Sequence, residues 1–306
     1  MHFKLVYGNH WNFGLQVGDT FRYLKLALES AGHRADIEKQ LCPGYVNIVQ
    51  ECFDDDYTES LLQAVGEGLE LILIASEFLT KATFNRFNDE NSNESSYYAN
   101  REYWDKRFAN FERIAASAMA IWHLCEQEVD NYQRYFSKVK VAYLPHAFVD
   151  NYRSVSHLPD EEKDIDFLFT GTLTDYRKVL LASLQNKGYK VESMHALTAP
   201  FHRDDLISRS KIALNLKQYA QWLYPSPSRF FYHIANESCV VSEAGEFECD
   251  IQRYVDTCAE ANFTSFCEQI LHEGCFSTKA SQRLARFEVE RPASKLIPEL
   301  LHRSIT

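Results

Sequence analysis

The chain has 306 residues, of which 45% are hydrophobic and 14% aromatic, which is enough to build two ordinary domains with proper cores. Its formal net charge of −11 argues against broad binding to DNA or RNA, because such binding requires clustered lysine and arginine. Eight cysteines without a C-x-x-C pair, and a beginning that resembles a strand rather than a signal peptide, predict a cytoplasmic protein.

No apolar run approaches the roughly 18 residues that a membrane span requires, so no transmembrane segment is predicted. This prediction remains compatible with a peripheral contact between the protein and a membrane.

The first half of the chain alternates short apolar runs with helical periodicity, which predicts a Rossmann-like unit. The predicted strands cover residues 3–7, 46–49, 69–75, 120–124 and 139–144. The predicted helices cover residues 20–30, 58–65, 108–119 and 126–136. Residues 84–107 are rich in Asn, Ser and charge, which predicts either a mobile loop or a solvated insertion.

The loop after the first predicted strand reads G-N-H-W-N-F-G-L-Q-V-G-D and contains His10, Gly14 and Asp19. Asp19 is suited to cap the helix that follows. The glycines do not fit G-x-G-x-x-G, so the loop does not predict a dinucleotide site.

The second half repeats the same pattern after a polar linker at residues 151–163. The predicted strands cover residues 166–170, 189–194, 211–216 and 239–242. The predicted helices cover residues 178–184, 203–210, 229–236, 263–272, 279–290 and 295–301. Ser228 is suited to cap the helix 229–236, and the free N–H groups at the start of that helix, together with Arg229, would suit a diphosphate.

Five short elements in the second half carry a family resemblance through their order and spacing. They are D-I-D-F-L-F-T-G-T from Asp164 with Arg177 after it, S-K-I-A-L-N at residues 210–215, and Arg229 fourteen residues before the end of V-V-S-E at Glu243. Over about eighty residues, this segment resembles the donor-binding domain of nucleotide-sugar-dependent glycosyltransferases with the GT-B architecture, and in particular a bacterial group similar to families 1 and 4.

The resemblance implies an α/β fold with two Rossmann-like domains facing across a cleft. The implied domains are residues 1–152, which bind the acceptor, and residues 153–280, which bind the nucleotide sugar. Residues 281–306 then form C-terminal helices that cross back to the first domain. The chain departs from relatives at Ser226, where many have an acidic residue, and at Tyr224 and Tyr232, where retaining relatives have a pair of glutamates.

For the donor, the resemblance implies a UDP-sugar or GDP-sugar used as substrate, without a separate cofactor or metal. Arg229 is the first candidate for the diphosphate, and the alternative is a surface arginine paired with Glu243 or Asp250. The other donor-site candidates lie in loops, at strand ends or near helix starts: Gly14, Gly171, Thr172, Arg177, Lys217, Tyr224, Ser228, Tyr232 and Glu243. Their alternative roles are turn formation, solvation, or, for the two tyrosines, core packing.

For the catalytic base, His10 is the first candidate, because an imidazole titrates near the working pH. Asp19 is a rival base, and its alternative role is a helix cap. His123 is expected to be a core histidine with its hydrogen bonds satisfied, and His146 is a third candidate. The acidic run at residues 54–56 invites comparison with a D-x-D metal motif, but acidic triplets are usually solvated loops.

The leading functional prediction is transfer of a sugar from a nucleotide sugar to a hydroxyl of a glycan, a lipid-linked intermediate or a small molecule. One alternative is a nucleotide-sugar epimerase or hydrolase on the same fold, which turns over the donor without an acceptor. A second alternative is a non-catalytic module that binds a nucleotide or glycan. A transferase that acts on modified DNA bases is disfavoured by the acidic balance.

Overall fold

The computed structural model of the protein describes residues 1–10, 14–85, 100–194 and 198–305. The chain divides into two compact units. The first unit is Met1–Val149 with Ala293–Thr306, and the second unit is Asp150–Pro292. Each unit is built on a parallel sheet with helices, which confirms the predicted α/β class with two Rossmann-like domains.

The first unit is described by the following elements. Its strands are β1 (His2–Val6), β2 (Arg34–Glu38), β3 (Val46–Gln50), β4 (Glu70–Ala75), β5 (Leu79–Thr80), β6 (Thr83–Phe84), β7 (Ala120–His123) and β8 (Lys140–Tyr143). Its helices are α1 (Gly18–Ser30), α2 (Asp55–Gly66), α3 (Arg101–Ala115), α4 (Val129–Tyr135) and, at the C-terminal end, α10 (Ala293–Ser304). Within the described residues, six strands form one parallel sheet in the order β2-β1-β3-β4-β7-β8, and β5 pairs with β6 in an antiparallel hairpin.

Buried apolar strands and amphipathic helices build the core of the first unit. Strand β4 (E-L-I-L-I-A) is buried at every position after Glu70, as expected for a parallel strand covered on both faces. Helix α2 begins where the Asp54 side chain accepts a hydrogen bond from the Tyr57 N–H at 2.8 Å, and helix α3 packs Phe108 and Phe111 into the core.

Two predictions about helix starts in the first unit are wrong. Helix α1 begins at Gly18 with Val17 at the N-cap, so Asp19 is not the cap but lies inside the first turn. There its negative charge interacts favourably with the positive end of the helix dipole. Helix α3 begins at Arg101 instead of residue 108, so residues 101–107 of the predicted polar excursion are helical. The Asn100 side chain caps this helix by accepting a hydrogen bond from the Tyr103 N–H at 3.3 Å. The rest of that predicted excursion, residues 86–99, lies outside the described residues.

The second unit contains the remaining elements. Its strands are β9 (Ile165–Thr170), β10 (Val191–Met194), β11 (Ser210–Asn215), β12 (Val240–Glu243) and β13 (Asp256–Cys258). Its helices are α5 (Asp175–Gln185), α6 (Pro200–Ser208), α7 (Pro227–Ala235), α8 (Phe263–Glu273) and α9 (Phe276–Glu290). In the part of this unit that is described, five strands form a parallel sheet in the order β10-β9-β11-β12-β13.

The start of helix α7 also differs from the prediction. Pro227 occupies the first helical position, which its fixed φ favours, and Ser226 is the N-cap residue without a side-chain capping bond. Ser228 is therefore inside the first turn and is not the cap. The helix N-terminus, where N–H groups lack intrahelical partners, lies two residues earlier than predicted.

The C-terminal helix belongs to the first unit. Helix α10 packs against α1 and β8, the Trp122 indole donates to the Ser304 hydroxyl at 2.9 Å, and the Ala293 N–H donates to the Phe148 carbonyl at 2.9 Å. Helix α9, by contrast, is part of the second unit. Among the described residues, none of the helices combines the length and apolar character that crossing a membrane demands.

Candidate functional site

The chain order of the second sheet reverses on either side of β9, which pairs with both β10 and β11. In open parallel sheets, ligands bind outside the carboxyl ends of the strands at such a switch point. Gly171 and Thr172 follow β9, Lys217 follows β11 closely, and Glu243 is the last residue of β12. The topology therefore brings four of the predicted donor-site residues to one edge of the sheet.

Arg229, in the first turn of α7, spans the ends of the two central strands. Its Nε donates to the Thr170 carbonyl at 2.8 Å, and its Nη1 donates to Asn215 Oδ1 at 2.6 Å. Its guanidinium carbon also lies 5.1 Å from the centroid of the Phe169 ring. These contacts hold a cation at the switch point beside a helix N-terminus, which is a suitable arrangement for an anion.

The alternative partners predicted for Arg229 have other contacts. Asp250 forms an ion pair with Arg291, and Glu243 accepts hydrogen bonds from the Tyr176 hydroxyl and the Lys217 N–H. Neither carboxylate has Arg229 among these partners.

Gly171 is required at its position by both its backbone and its neighbours. Its φ of +151° lies in a region that L side chains rarely adopt, and an added Cβ would lie 2.7 Å from Arg229 Nη2. The absence of a side chain at residue 171 therefore lets the guanidinium approach the main chain. Thr172 follows at the half-buried start of the loop.

Arg177 is a loop-positioning residue rather than an exposed cation. Its Nη1, Nη2 and Nε donate to the carbonyls of Thr172, Leu216 and Lys217 at 2.7, 2.9 and 2.9 Å. The residue is only 6% exposed, and α5 is capped by Thr174, whose hydroxyl accepts from the Arg177 N–H at 3.3 Å. Arg177 thus ties the loop after β9 to the loop after β11.

Glu243 is buried at the end of β12 and is bonded through both oxygens. Its Oε1 accepts from the Tyr176 hydroxyl, and its Oε2 accepts from the Lys217 N–H at 2.7 Å. Burial raises the pKa of the Glu243 carboxyl, and the two hydrogen bonds oppose that rise. Lys217 Nζ donates to the Ala220 carbonyl at 2.9 Å and pairs with Glu260 at 3.1 Å.

Tyr224 and Tyr232, predicted either to bind the donor or to pack in the core, are both buried. Tyr224 is 3% exposed and Tyr232 is 4% exposed. The Tyr232 hydroxyl donates to Asp204, and the Arg203 guanidinium carbon lies 4.0 Å from the Tyr232 ring centroid. Tyr232 therefore packs inside the second unit through its ring and its hydroxyl.

Sequence reasoning missed the residues that position Arg229. The amide Nδ2 of Asn215 donates to the Ser242 hydroxyl at 3.2 Å, which leaves its Oδ1 oriented toward Arg229. His233 lies in the last turn of α7, with Nε2 3.5 Å from the Thr170 hydroxyl. Burial, followed by the charges of Arg229 and Arg203, lowers the pKa of His233 to about 3. Asn215 is the last residue of the S-K-I-A-L-N motif, but only the fold shows that its side chain accepts a hydrogen bond from Arg229.

The first sheet has its own switch point, where β1 pairs with both β2 and β3. His10 lies just beyond β1, is 7% exposed, and donates its main-chain N–H to the Tyr7 carbonyl at 3.0 Å. Burial and the charge of Arg107 lower the pKa of His10 to about 4. The imidazole is therefore neutral at neutral pH, and the prediction that it titrates near the working pH is wrong. Gly14 has a φ of +79° and packs against the Tyr7 ring, and Asp19 is half-buried in α1.

A buried charge cluster, which the sequence did not predict, lies at the same edge of the first sheet. The Arg107 guanidinium forms ion pairs with two carboxylates, those of Glu51, which follows β3, and Glu77, which follows β4. The distance from Arg107 Nη2 to Glu77 Oε1 is 2.9 Å. Glu51 also accepts from the Ser76 hydroxyl at 2.7 Å, and Glu77 accepts from Asn85 Nδ2 at 2.6 Å. Burial raises the pKa of Glu77.

The other histidine and acidic candidates have structural contacts. His123 is fully buried, and its two ring nitrogens contact main-chain groups of Cys125 and Glu77 at 2.9 to 3.1 Å, as expected for a satisfied core histidine. His146 stacks on Tyr23 with ring centroids 5.7 Å apart. Asp54 caps α2, and the described residues contain no group of three or more His, Cys, Asp or Glu side chains that could hold a metal.

No protein-family model matches the sequence, and no curated protein shows significant sequence similarity to it. The structure is similar to the solved structure of a glycotransferase of kitacinnamycin, with a TM-score of 0.39 and 7% identity, covering 99% of each chain. It is also similar to accessory secretory protein 1, 2 and 3 in Streptococcus pneumoniae, with a TM-score of 0.42 and 9% identity over 85% of this chain and 53% of that chain.

A third similar structure is a GtfA/B complex bound to UDP and GlcNAc, with a TM-score of 0.32 and 14% identity over 85% of this chain and 57% of that chain. This chain therefore spans little more than half the length of the second and third of these chains.

Proposed function

We propose that the protein is a glycosyltransferase that moves a sugar from a nucleotide-sugar donor to a hydroxyl of a glycan, lipid-linked or small-molecule acceptor, without a metal. The observation that carries this proposal is the position of Arg229, which bridges the ends of β9 and β11 beside the start of α7. A guanidinium and a helix N-terminus together can stabilise the negative charge that develops on a departing nucleoside diphosphate.

The roles of the surrounding residues follow from their contacts. Gly171 leaves room for the Arg229 guanidinium, Arg177 fixes the loops on either side, and Asn215 orients the guanidinium. Thr172 has a hydroxyl and an N–H at the loop start, which are suitable groups for a phosphate oxygen. In this proposal, Glu243 accepts a hydrogen bond from a ribose or sugar hydroxyl, in exchange for the one from Tyr176.

The proposed acceptor unit is the first one, with His10 as the base. Its neutral imidazole can accept the proton that the acceptor hydroxyl loses, although its pKa of about 4 makes it a weaker base than an ordinary histidine, and Asp19 is the rival for this role. We expect His10→Ala to lower turnover with little effect on donor affinity. Unchanged turnover in that variant would remove His10 from the proposed mechanism.

The test of the donor site is a calorimetric titration with UDP, GDP, CMP, ADP and dTDP, without metal and then with magnesium. We expect one nucleotide to bind without metal, and Arg229→Ala to weaken it by about 1.5 to 3 kcal/mol through loss of a charged hydrogen bond.

Arg209→Ala is the matched control, because Arg209 precedes β11 at the opposite end of that strand and pairs with Asp164 at 2.7 Å. Equal affinities of the wild-type protein and Arg229→Ala would remove Arg229 from the proposed site. Failure of the wild-type protein to bind any of the five nucleotides would overturn the donor site itself.

A further inference from the structure

The first unit holds buried polar atoms without hydrogen-bond partners at the ends of two adjacent strands. Among the described residues, Asn9 Oδ1, His10 Nε2 and Gln50 Oε1 have no partner, and Arg107 Nε also has none. The first three residues lie at neighbouring strand ends: Asn9 and His10 follow β1, Gln50 ends β3, and Asn9 Nδ2 donates to the main-chain carbonyls of Gln50 at 2.8 Å and Cys52 at 3.3 Å. They lie at the switch point between β1 and β3, where parallel sheets bind ligands.

Such atoms are rare in folded proteins, in which roughly 90% or more of buried polar groups are paired. Leaving one unpaired costs about 1–3 kcal/mol. Three on residues at neighbouring strand ends therefore favour groups that a bound molecule completes.

Backbone strain at the same location is an independent indication. Cys52, whose carbonyl accepts from Asn9, has a φ of +128°, which is unusual for a residue with a side chain. Strain of this kind costs on the order of 1–3 kcal/mol and concentrates at ligand sites. The loop after β3 is thus held in an unfavourable conformation beside the unpaired atoms.

The chemistry of these groups selects the ligand. The amide oxygens of Asn9 and Gln50 only accept hydrogen bonds, and a neutral His10 nitrogen can also accept. The nearby charges do not favour an anion, because Arg107 already serves two carboxylates, Glu51 and Glu77. A molecule that donates several hydrogen bonds and carries no negative charge fits this arrangement.

We infer that the edge of the first sheet between β1 and β3 binds an uncharged, polyhydroxylated ligand whose hydroxyl groups donate to Asn9, His10 and Gln50. The assignment of this ligand as the acceptor rests on the proposed glycosyltransferase function. In that role, the acceptor presents an uncharged carbohydrate, rather than a phosphate group, to the first unit.

The experiment titrates the full chain with glucose, N-acetylglucosamine and maltose, and with glucose 6-phosphate as the charged match, by calorimetry and saturation-transfer NMR. We expect at least one neutral sugar to bind, and the corresponding affinity of glucose 6-phosphate to be lower than that of glucose. We expect Gln50→Met, which keeps the side-chain length and removes the amide, to weaken sugar binding about tenfold, the effect of losing one hydrogen bond.

Gln63→Met is the matched control, because Gln63 is an exposed glutamine on α2, and it should bind sugar as the wild-type protein does. His10→Phe serves as a second variant if Gln50→Met fails to fold. Failure of all three neutral sugars to bind, tighter binding of glucose 6-phosphate than of glucose, or wild-type affinity in the folded variant would overturn the inference.

The nucleotide titration of the same samples separates this inference from the proposed function. Sugar binding that depends on Gln50, in a protein that binds no nucleotide, supports the inference and contradicts the proposed function. Nucleotide binding in a protein whose sugar affinity does not depend on Gln50 or His10 supports the proposed function and overturns the inference.

Discussion

Replacing Arg107 by methionine tests whether the buried charge cluster stabilises the first unit. The guanidinium pairs with Glu51, whose side chain is 2% exposed, and with Glu77, whose side chain is 17% exposed. Removing one partner of a buried ion pair leaves uncompensated charge and costs about 3–5 kcal/mol. We expect a loss of this size in the free energy of unfolding of Arg107→Met near pH 8.

The loss should shrink as the pH falls. Burial already raises the pKa of Glu77, and the Arg107 charge opposes that rise, so Arg107→Met raises this pKa further. A carboxyl whose folded pKa lies above its unfolded value loses stability as the pH rises through the interval between them, by about 1.4 kcal/mol per pH unit. The variant should therefore be closest to the wild-type stability near pH 5.

The assay is urea unfolding followed by tryptophan fluorescence, with Trp104 4.9 Å from the guanidinium as the reporter in the first unit. Arg113→Met is the matched control, because its ion pair with Glu59 is exposed on both sides and should contribute less than about 1 kcal/mol. A loss below about 1 kcal/mol for Arg107→Met, or a loss of equal size at both pH values, would refute the reasoning.

Three further predictions concern the second unit. Burial lowers the pKa of His233 from its ordinary 6.5 to about 3, so the folded protein loses stability as the pH falls below about 6.5. His233→Phe should therefore reduce the fall in unfolding free energy between about pH 7 and pH 5 by about 2 kcal/mol in urea titrations, whereas the exposed His272→Gln should leave that fall unchanged. Gly171→Ala should weaken nucleotide binding as Arg229→Ala does, because the new Cβ meets Arg229 Nη2, whereas Gly188→Ala, at a φ of +91° with open space around it, should only destabilise the fold; equal nucleotide affinities in the two variants would contradict this. Asn215→Leu should weaken nucleotide binding, because it removes the oxygen that accepts from Arg229; a nucleotide affinity equal to that of the wild-type protein in calorimetry would show that Asn215 does not orient the guanidinium.

Much of the fold could be predicted from the sequence because central parallel strands are buried on both faces. Strands β4, β9 and β11 each contain at least three consecutive apolar residues, and their predicted bounds agree with the structure within one or two residues. Strand β2 (R-A-D-I-E) was missed because it is an edge strand with only Ala35 buried, and β13 was missed because it has three residues.

The sites were harder to predict than the strands, because they depend on contacts between distant parts of the chain. The motif spacing identified Arg229 as a candidate for the donor site, but not Asn215, whose amide orientation depends on Ser242, 27 residues away. The cluster of Glu51, Glu77 and Arg107 joins residues 56 and 30 apart in the sequence, and no local pattern links them. The role of Arg177 as a loop anchor likewise depends on carbonyls about 40 residues away.

The measurement that tests the central claim most directly is nucleotide release from UDP-sugars and GDP-sugars, with and without a sugar acceptor, in the wild-type protein and Arg229→Ala. We predict that one donor releases its nucleotide in an acceptor-dependent reaction, that the sugar appears on the acceptor by mass spectrometry, and that Arg229→Ala slows the release. Release that is equally fast without any acceptor, or no release from any donor, would contradict the proposed glycosyl transfer.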